Sequence, residues 1–152
     1  MKTVAKPADC RELGGLPVAE GLRRVLARMD AETGTVHRLR DDGLLHLEEH
    51  AGPLPELLIP VIRRIPVGKG MAGLAAEREE PVQICNLQTD TSGDARPGAR
   101  STGMRGSICV PMKRGDRLVG VLGVAVPRER EFSEAEAAWL ERAGAVLARG
   151  LG

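Results

Sequence analysis

Three cysteines, three histidines and a cluster of arginines hold whatever chemistry this chain can do. Cys10, Cys85 and Cys109 have no metal-ligand spacing and leave an odd thiol over. A reactive cysteine needs its pKa lowered by a helix N-terminus or a nearby cation. Cys85 and Cys109 stand instead in strand-like runs, where thiols are usually buried and inert. His46 and His50 are four apart, a spacing that gathers ligands on a helix but spreads them about 13 Å along a strand. The local pattern is a strand, so a solvated hairpin face is the expectation for His37, His46 and His50. An axial haem ligand from His37 is left open.

Arg96, Arg100 and Arg105 fall in one polar stretch, LQTDTSGDARPGARSTGMR at 87–105. Guanidinium forks suit carboxylates and phosphates; the competing reading is a solvated loop balanced by Asp90 and Asp94. Gly68, Gly70 and Gly73 spell G-x-G-x-x-G with Asp90 about twenty residues on, which imitates a dinucleotide fingerprint. The imitation fails on context. The preceding strand is short and interrupted by Pro66, Pro81 stops the helix after some two turns, and no series of parallel βαβ units follows. Lys69 does not complete a Walker A loop, because residue 63 is not glycine and residue 70 is neither Ser nor Thr. Glu134, Glu136 and Glu141 read as a solubilising helix face rather than an acid–base pair.

The elements that must position these groups are legible in outline. Val18, Leu22, Val25, Leu26 and Met29 mark one face of an amphipathic helix. Thr35–Arg40 and Leu44–His50 flank Asp41-Asp42-Gly43, where the Asp-Gly pair predicts a tight hairpin turn with positive φ at both central positions. Leu45 and Leu47 are expected on one face of the second strand, and His46, Glu48 and His50 on the other. A short helix over 56–64 is weakened by Pro60. Around IPVGKGMAGLAAEREEPV at 65–82 the chain then organises itself: a short strand, a glycine hinge, a helix over 71–79 and a strand over 82–85. The helix opens with unpaired backbone N–H groups aimed by the hinge. A helical turn is expected near 99–104. Ser107–Met112 and Arg117–Val126 form a second hairpin, whose apolar second strand belongs at the sheet centre; Gly120 and Gly123 signal a bulge or a close backbone approach. Ser133 and Glu136 form a capping box for a last helix with Leu140, Ala143, Val146 and Leu147 as its stripe. The fold class is therefore α+β, a mostly antiparallel sheet with helices on its faces. Residues 1–16 read as a flexible lead-in and 17–152 as a single domain.

Composition removes several function classes. With 22 Lys+Arg against 21 Asp+Glu, no net field draws the 152-residue chain to nucleic acid or membrane. One Phe, one Trp and no Tyr leave no stacking platform for bases. No apolar run approaches the ~20 residues of a membrane span, and MKTVAKPADCRELGG lacks the apolar core of a secretory signal. A reducing, cytoplasmic setting with free thiols is the plain expectation.

Taken in order, IPVGKGMAGLAAEREEPVQICNLQTD (65–90), GMRGSICVPMKRGDRLVGVLGVAVP (103–127) and FSEAEAAWLERAGAVLA (132–148), with TGTVHRLRDDGLLHLEEHAG (33–52) before them, resemble the GAF domain family over about residues 18–150. The resemblance implies a five- or six-stranded antiparallel sheet, terminal helices on one face, and short helices and a loop enclosing a small-molecule pocket on the other. It implies a regulatory module for cyclic nucleotides, tetrapyrroles, haem or small metabolites, often paired through its first and last helices. A few members are free-methionine-sulfoxide reductases. That branch carries cysteines in the hinge segment and the long loop, and acidic residues on the last strand. Here the hinge reads Gly70-Met71-Ala72-Gly73, the loop has no cysteine, and the strand has Gly123-Val124-Ala125. A covalent bilin would need a cysteine in that same loop, and the phosphodiesterase pattern for cyclic nucleotides is not visible.

The expectation is a non-enzymatic sensor that binds a small molecule and signals through its terminal helices, as a homodimer, with an unidentified ligand and cofactor. The expected pocket residues are Met71, Arg96, Arg100, Met104, Ser107 and Cys109. Ligand binding is expected to order the 87–106 loop. Two other readings stay open: a redox enzyme using Cys85 or Cys109, and a ligand-free interaction module.

Overall fold

The computed structural model describes residues 10–151. The element order is α1 (Val18–Met29), β1 (Thr33–Leu39), β2 (Leu44–Ala51), α2 (Ile59–Ile62), β3 (Arg64–Pro66), α3 (Gly70–Arg78), β4 (Val82–Ile84), β5 (Gly106–Arg114), β6 (Arg117–Val126) and α4 (Glu134–Ala148). All six strands join one sheet in the order β3-β2-β1-β6-β5-β4, every pairing antiparallel. The apolar β6 lies inside the sheet, as its composition predicts. Residues 1–9 of the expected lead-in lie outside the described residues. From residue 10 the chain is already packed, with Cys10 and Leu13 buried in the core.

Two expectations for the first hairpin are corrected. Only Gly43 has positive φ in its turn (79°). Asp42 Oδ1 accepts the Leu44 N–H at 2.9 Å and Gly43 N donates to Arg40 O at 2.9 Å. The aspartate side chain thus closes the turn locally, and the aspartate has no need of a left-handed backbone. The second correction follows from the register. Val36 pairs with Glu49 but His37 pairs with Leu47, so Glu48 is an extra residue in a bulge. A bulge reverses which side chains share a face. His46 opposite Arg38 and His50 opposite Thr35 therefore fall on opposite faces, not on one. Pro60 does not abolish its helix: it occupies the first turn of α2, where its missing N–H costs nothing.

One face of the sheet is covered by α1 and α4. Leu22, Val25 and Met29 from α1, Ile108, Val110, Met112 and Leu122 from the sheet, and Trp139, Leu140, Ala143 and Leu147 from α4 make a continuous core. Trp139, which lies outside the apolar stripe of the sequence pattern, is its largest member and fully buried. Gly21, a poor helix former, is explained by crossing: a Cβ there would intrude on Leu147 of α4. The Ser133–Glu136 capping box forms as expected. Arg130 ties the two helices together, donating to Met29 O at the end of α1 and to Glu136 Oε2, each at 2.7 Å.

The other face carries α2, α3 and the long connection from β4 to β5. Leu45, Ile65, Met71, Ala75, Val82, Ile84, Met104, Cys109 and Val121 form a second apolar cluster there. Gly120 lets β6 approach β1, because a Cβ at that position would collide with His37 O. The bulge expected in this region is also present: Met112 pairs with Gly120 but Lys113 with Leu118, so Val119 of β6 is the extra residue.

Candidate functional site

Strand alternation builds the floor of a cavity on the α3 side. Thr33, Thr35 and His37 of β1 face the same way, opposite Ala125, Gly123 and Val121 of β6, which in turn face Ser107, Cys109 and Pro111 of β5. The hinge then brings α3 across this floor. Gly68 (φ 93°) and Gly70 (φ 67°) both take the left-handed region open to glycine. The Gly68 N–H donates to Gly73 O at 2.8 Å, folding the hinge back onto its helix. Gly70 also lacks the Cβ that would come within 3.0 Å of Arg96 Cγ. The three glycines thus serve a tight turn and close packing, in a sheet whose described strands all pair antiparallel.

The long connection forms the rest of the roof. A 3₁₀ turn over Pro97–Thr102 matches the turn expected near 99–104. Gln88 Nε2 donates to Arg100 O at 3.1 Å and to Met104 O at 2.8 Å. Thr102 Oγ1 donates to Ala99 O and accepts the Met104 N–H. Leu87 N–H donates to Arg105 O at 2.8 Å. The connection is therefore tied together by its own polar groups.

Between floor and roof lies a cavity of about 180 Å³. Five of the six expected pocket residues line it: Met71, Arg96, Met104, Ser107 and Cys109. Arg100 does not. Its guanidinium donates to Asp90 O at 3.0 Å, and it lines a neighbouring recess with Asp90, Thr91 and Gly93. Arg105 lines neither space.

His37 does not belong with the solvated histidines. It is 2 % exposed and lines the cavity, because β1 is an interior strand roofed by α2. Its Nε2 lies 2.8 Å from Ile62 O, so that nitrogen carries the proton and donates. Nδ1 is buried without a partner. Burial holds the imidazole below its ordinary pKa, against the smaller opposing effect of the Ile62 carbonyl. The ring is a neutral pin between the floor and α2. The sequence signal for it was its place beside Thr33 and Thr35, on a strand whose position inside the sheet could not be read.

Cys109 is 8 % exposed, and burial pushes its thiol up to about 12. Cys85 is exposed and free. Val82 pairs with Cys109, so Cys85, one residue beyond the end of β4, lies about 10 Å along the chain from that pair. That exceeds the reach of a disulfide without backbone movement. Among the described residues no three His, Cys, Asp or Glu are grouped to hold a metal ion, and no helix is long and apolar enough to cross a membrane.

The sheet order, the helix pair on one face and the roofed cavity on the other agree with the family expectation, and direct comparison settles membership. Residues 18–151 match the GAF domain model, and the chain belongs to that family. Among solved structures, the GAF domain of a phosphoenolpyruvate-protein phosphotransferase from Acinetobacter superposes with a TM-score of 0.73 at 21% identity, covering 93% of this chain and 87% of that one. A protein from Burkholderia vietnamiensis described as a GAF sensor superposes at 0.72 with 19% identity, covering 96% of each chain. The free methionine-R-sulfoxide reductase of Neisseria meningitidis, in complex with its substrate, superposes at 0.71 with 22% identity, covering 88% of this chain and 74% of that one. At these identities the likeness is one of fold. Comparison with curated proteins gives no match.

Proposed function

We propose that this GAF domain is a non-enzymatic sensory or regulatory module that holds a small molecule in the cavity under α3. The observation that carries the reading is the cavity itself, built on the floor of the central strands and lined largely by apolar side chains. Its volume is close to that of a 150 Å³ cavity known to take benzene, so it suits a ligand of about that size. The single lining thiol is neutral at physiological pH, and Cys85 is out of its reach, which speaks against cysteine chemistry.

The route of a signal follows from alternation. Ser107 and Cys109 face the cavity, while Ile108 and Val110 between and beside them pack under α4. A ligand that shifts β5 shifts the seat of α4 as well. Homodimerisation would use the outer side of α1 and α4, since Leu140 and Leu147 are spent on the monomer core. Exposed Ala145 is therefore the position to change to a charge, with mass in solution as the readout.

The test is native mass measurement and an absorption spectrum on freshly purified protein, followed by melting with candidate ligands. Excess mass or a ligand-dependent melting shift is the expected result; neither appearing removes the receptor reading. The reductase relatives of this fold support one competing reading, a cysteine-dependent reductase. Slow alkylation of Cys109 in the native protein is expected, and rapid alkylation at neutral pH would favour the enzyme instead.

A further inference from the structure

The lining of the cavity decides the chemical class of its occupant, an inference that rests on the receptor reading. Among the described residues that lining contains no aspartate or glutamate. It does contain Lys69 and Arg96, both exposed at the mouth and neither in a side-chain hydrogen bond or ion pair among the described residues. Arg96 lies close over Gly70, its Cγ 3.0 Å from where a Cβ would stand, so its stem is fixed beside the start of α3. The first intrahelical bond of α3 runs from Gly73 N to Lys69 O. The N–H groups of Gly70, Met71 and Ala72 precede it, no side chain caps them, and all three residues line the same cavity. Mouth and first turn together present donors and positive charge; the carboxylates of Glu77, over Gly68, and of Asp90, in the recess that Arg96 also lines, stand outside the cavity lining.

The interior is different. Met71, Met104, Leu58, Ile62 and Ile65 supply apolar walls, with the hydroxyls of Thr33, Thr35 and Ser107 at the floor. Ser107 Oγ donates to Val124 O at 3.4 Å. His37 is neutral, so no cation waits inside for a second negative group. An ammonium group would find no carboxylate there, only hydroxyls and the unpartnered His37 Nδ1 as neutral acceptors, so its desolvation would be only partly compensated.

We propose that the cavity takes a small monocarboxylic acid with a branched or cyclic apolar body and no ammonium group, its carboxylate at the mouth against Arg96 and the first turn of α3. The volume allows roughly six to eight heavy atoms inward of the carboxylate at the mouth, scaled from benzene in a 150 Å³ cavity. Free amino acids and dicarboxylates of the same length are excluded by charge, not by size.

The experiment is calorimetric titration and thermal melting of the full chain with four probes: 4-methylpentanoate, its primary amide, leucine and pentanedioate. The acid is expected to bind and raise the melting temperature, with the other three weaker by about tenfold or more. Arg96→Gln, at an exposed site that leaves the core intact, is expected to weaken the acid by about tenfold or more while leaving the unliganded melting temperature unchanged. Leucine or the amide binding as well as the acid, or the acid binding Arg96→Gln unchanged, overturns the acid proposal and leaves the cavity as a receptor for another class. No response to any probe overturns the proposal too. Uptake of benzene by the same sample then keeps the receptor reading, and failure of that uptake ends both.

Discussion

The two faces of this sheet are built to different standards. Under α1 and α4 the core is continuous: Trp139, Leu22, Met29, Ile108, Leu122 and Leu140 are fully buried in one cluster of helix and strand side chains. Under α3 the side chains are smaller or more pliant, Met71, Ala75, Met104, Cys109 and Ala125 among them, and a cavity remains between them. The same strands serve both faces through alternate residues, so the difference is not one of backbone. One face secures the fold, and the other leaves packing unfinished where a ligand would complete it.

Four changes test that contrast, taken from the largest expected effect down. Trp139→Ala is expected to cost about 3–5 kcal/mol, the range for an aromatic lost from a closed core, read by denaturant unfolding. A cost below about 1 kcal/mol would mean the helix face is looser than its burial implies. Ala143→Ile adds bulk where none fits and is expected to destabilise by about 1–3 kcal/mol. Ala125→Ile adds the same bulk over the cavity floor and is expected to stabilise by about 0.5–1 kcal/mol, while removing any ligand-dependent melting shift. If both isoleucines destabilise alike, the two faces are equally packed and the contrast fails.

The smallest effect is a pH dependence confined to the cavity face. His37 has a folded pKa below its unfolded value of 6.5. The unfolded chain therefore takes up the proton first, so stability is complete above 6.5 and declines as the pH falls below it. His37→Gln keeps a donor for Ile62 O without the titration. Between about pH 7.5 and about pH 5.5 the wild-type melting temperature is expected to fall further than that of the variant. Parallel curves would show that another group carries the acid sensitivity.

Local signals were enough for most elements. The capping box at Ser133, the α1 stripe and the apolar run of β6 each gave an element with its environment. The hinge glycines gave a turn and a helix start, and strand alternation with the family resemblance put Met71, Arg96, Met104, Ser107 and Cys109 around one space. What escaped was whatever depends on a neighbouring strand. The bulge at Glu48 is a matter of pairing between β1 and β2, and it alone separates His46 from His50. His37 reads as a surface histidine until α2 is seen above it. Arg100 resembles Arg96 in sequence, yet the 3₁₀ turn aims it back at Asp90 O. Trp139 follows Ala137 and Ala138 and stands one residue before Leu140 of the stripe, so its weight in the core shows only once α4 is packed on the sheet.

The double hydrogen bond from Gln88 has a consequence for how this domain can change. Its one amide grips the chain at Arg100 and again at Met104, so the two ends of the intervening stretch stay anchored whatever lies between them. Residues 89–95 project from that clasp, mostly exposed, and bear on the cavity only through Ala95 at their far end. Lengthening or rewriting them is expected to change the surface beside the cavity while leaving the sheet undisturbed. New selectivity can be grafted there while the scaffold beneath keeps its shape.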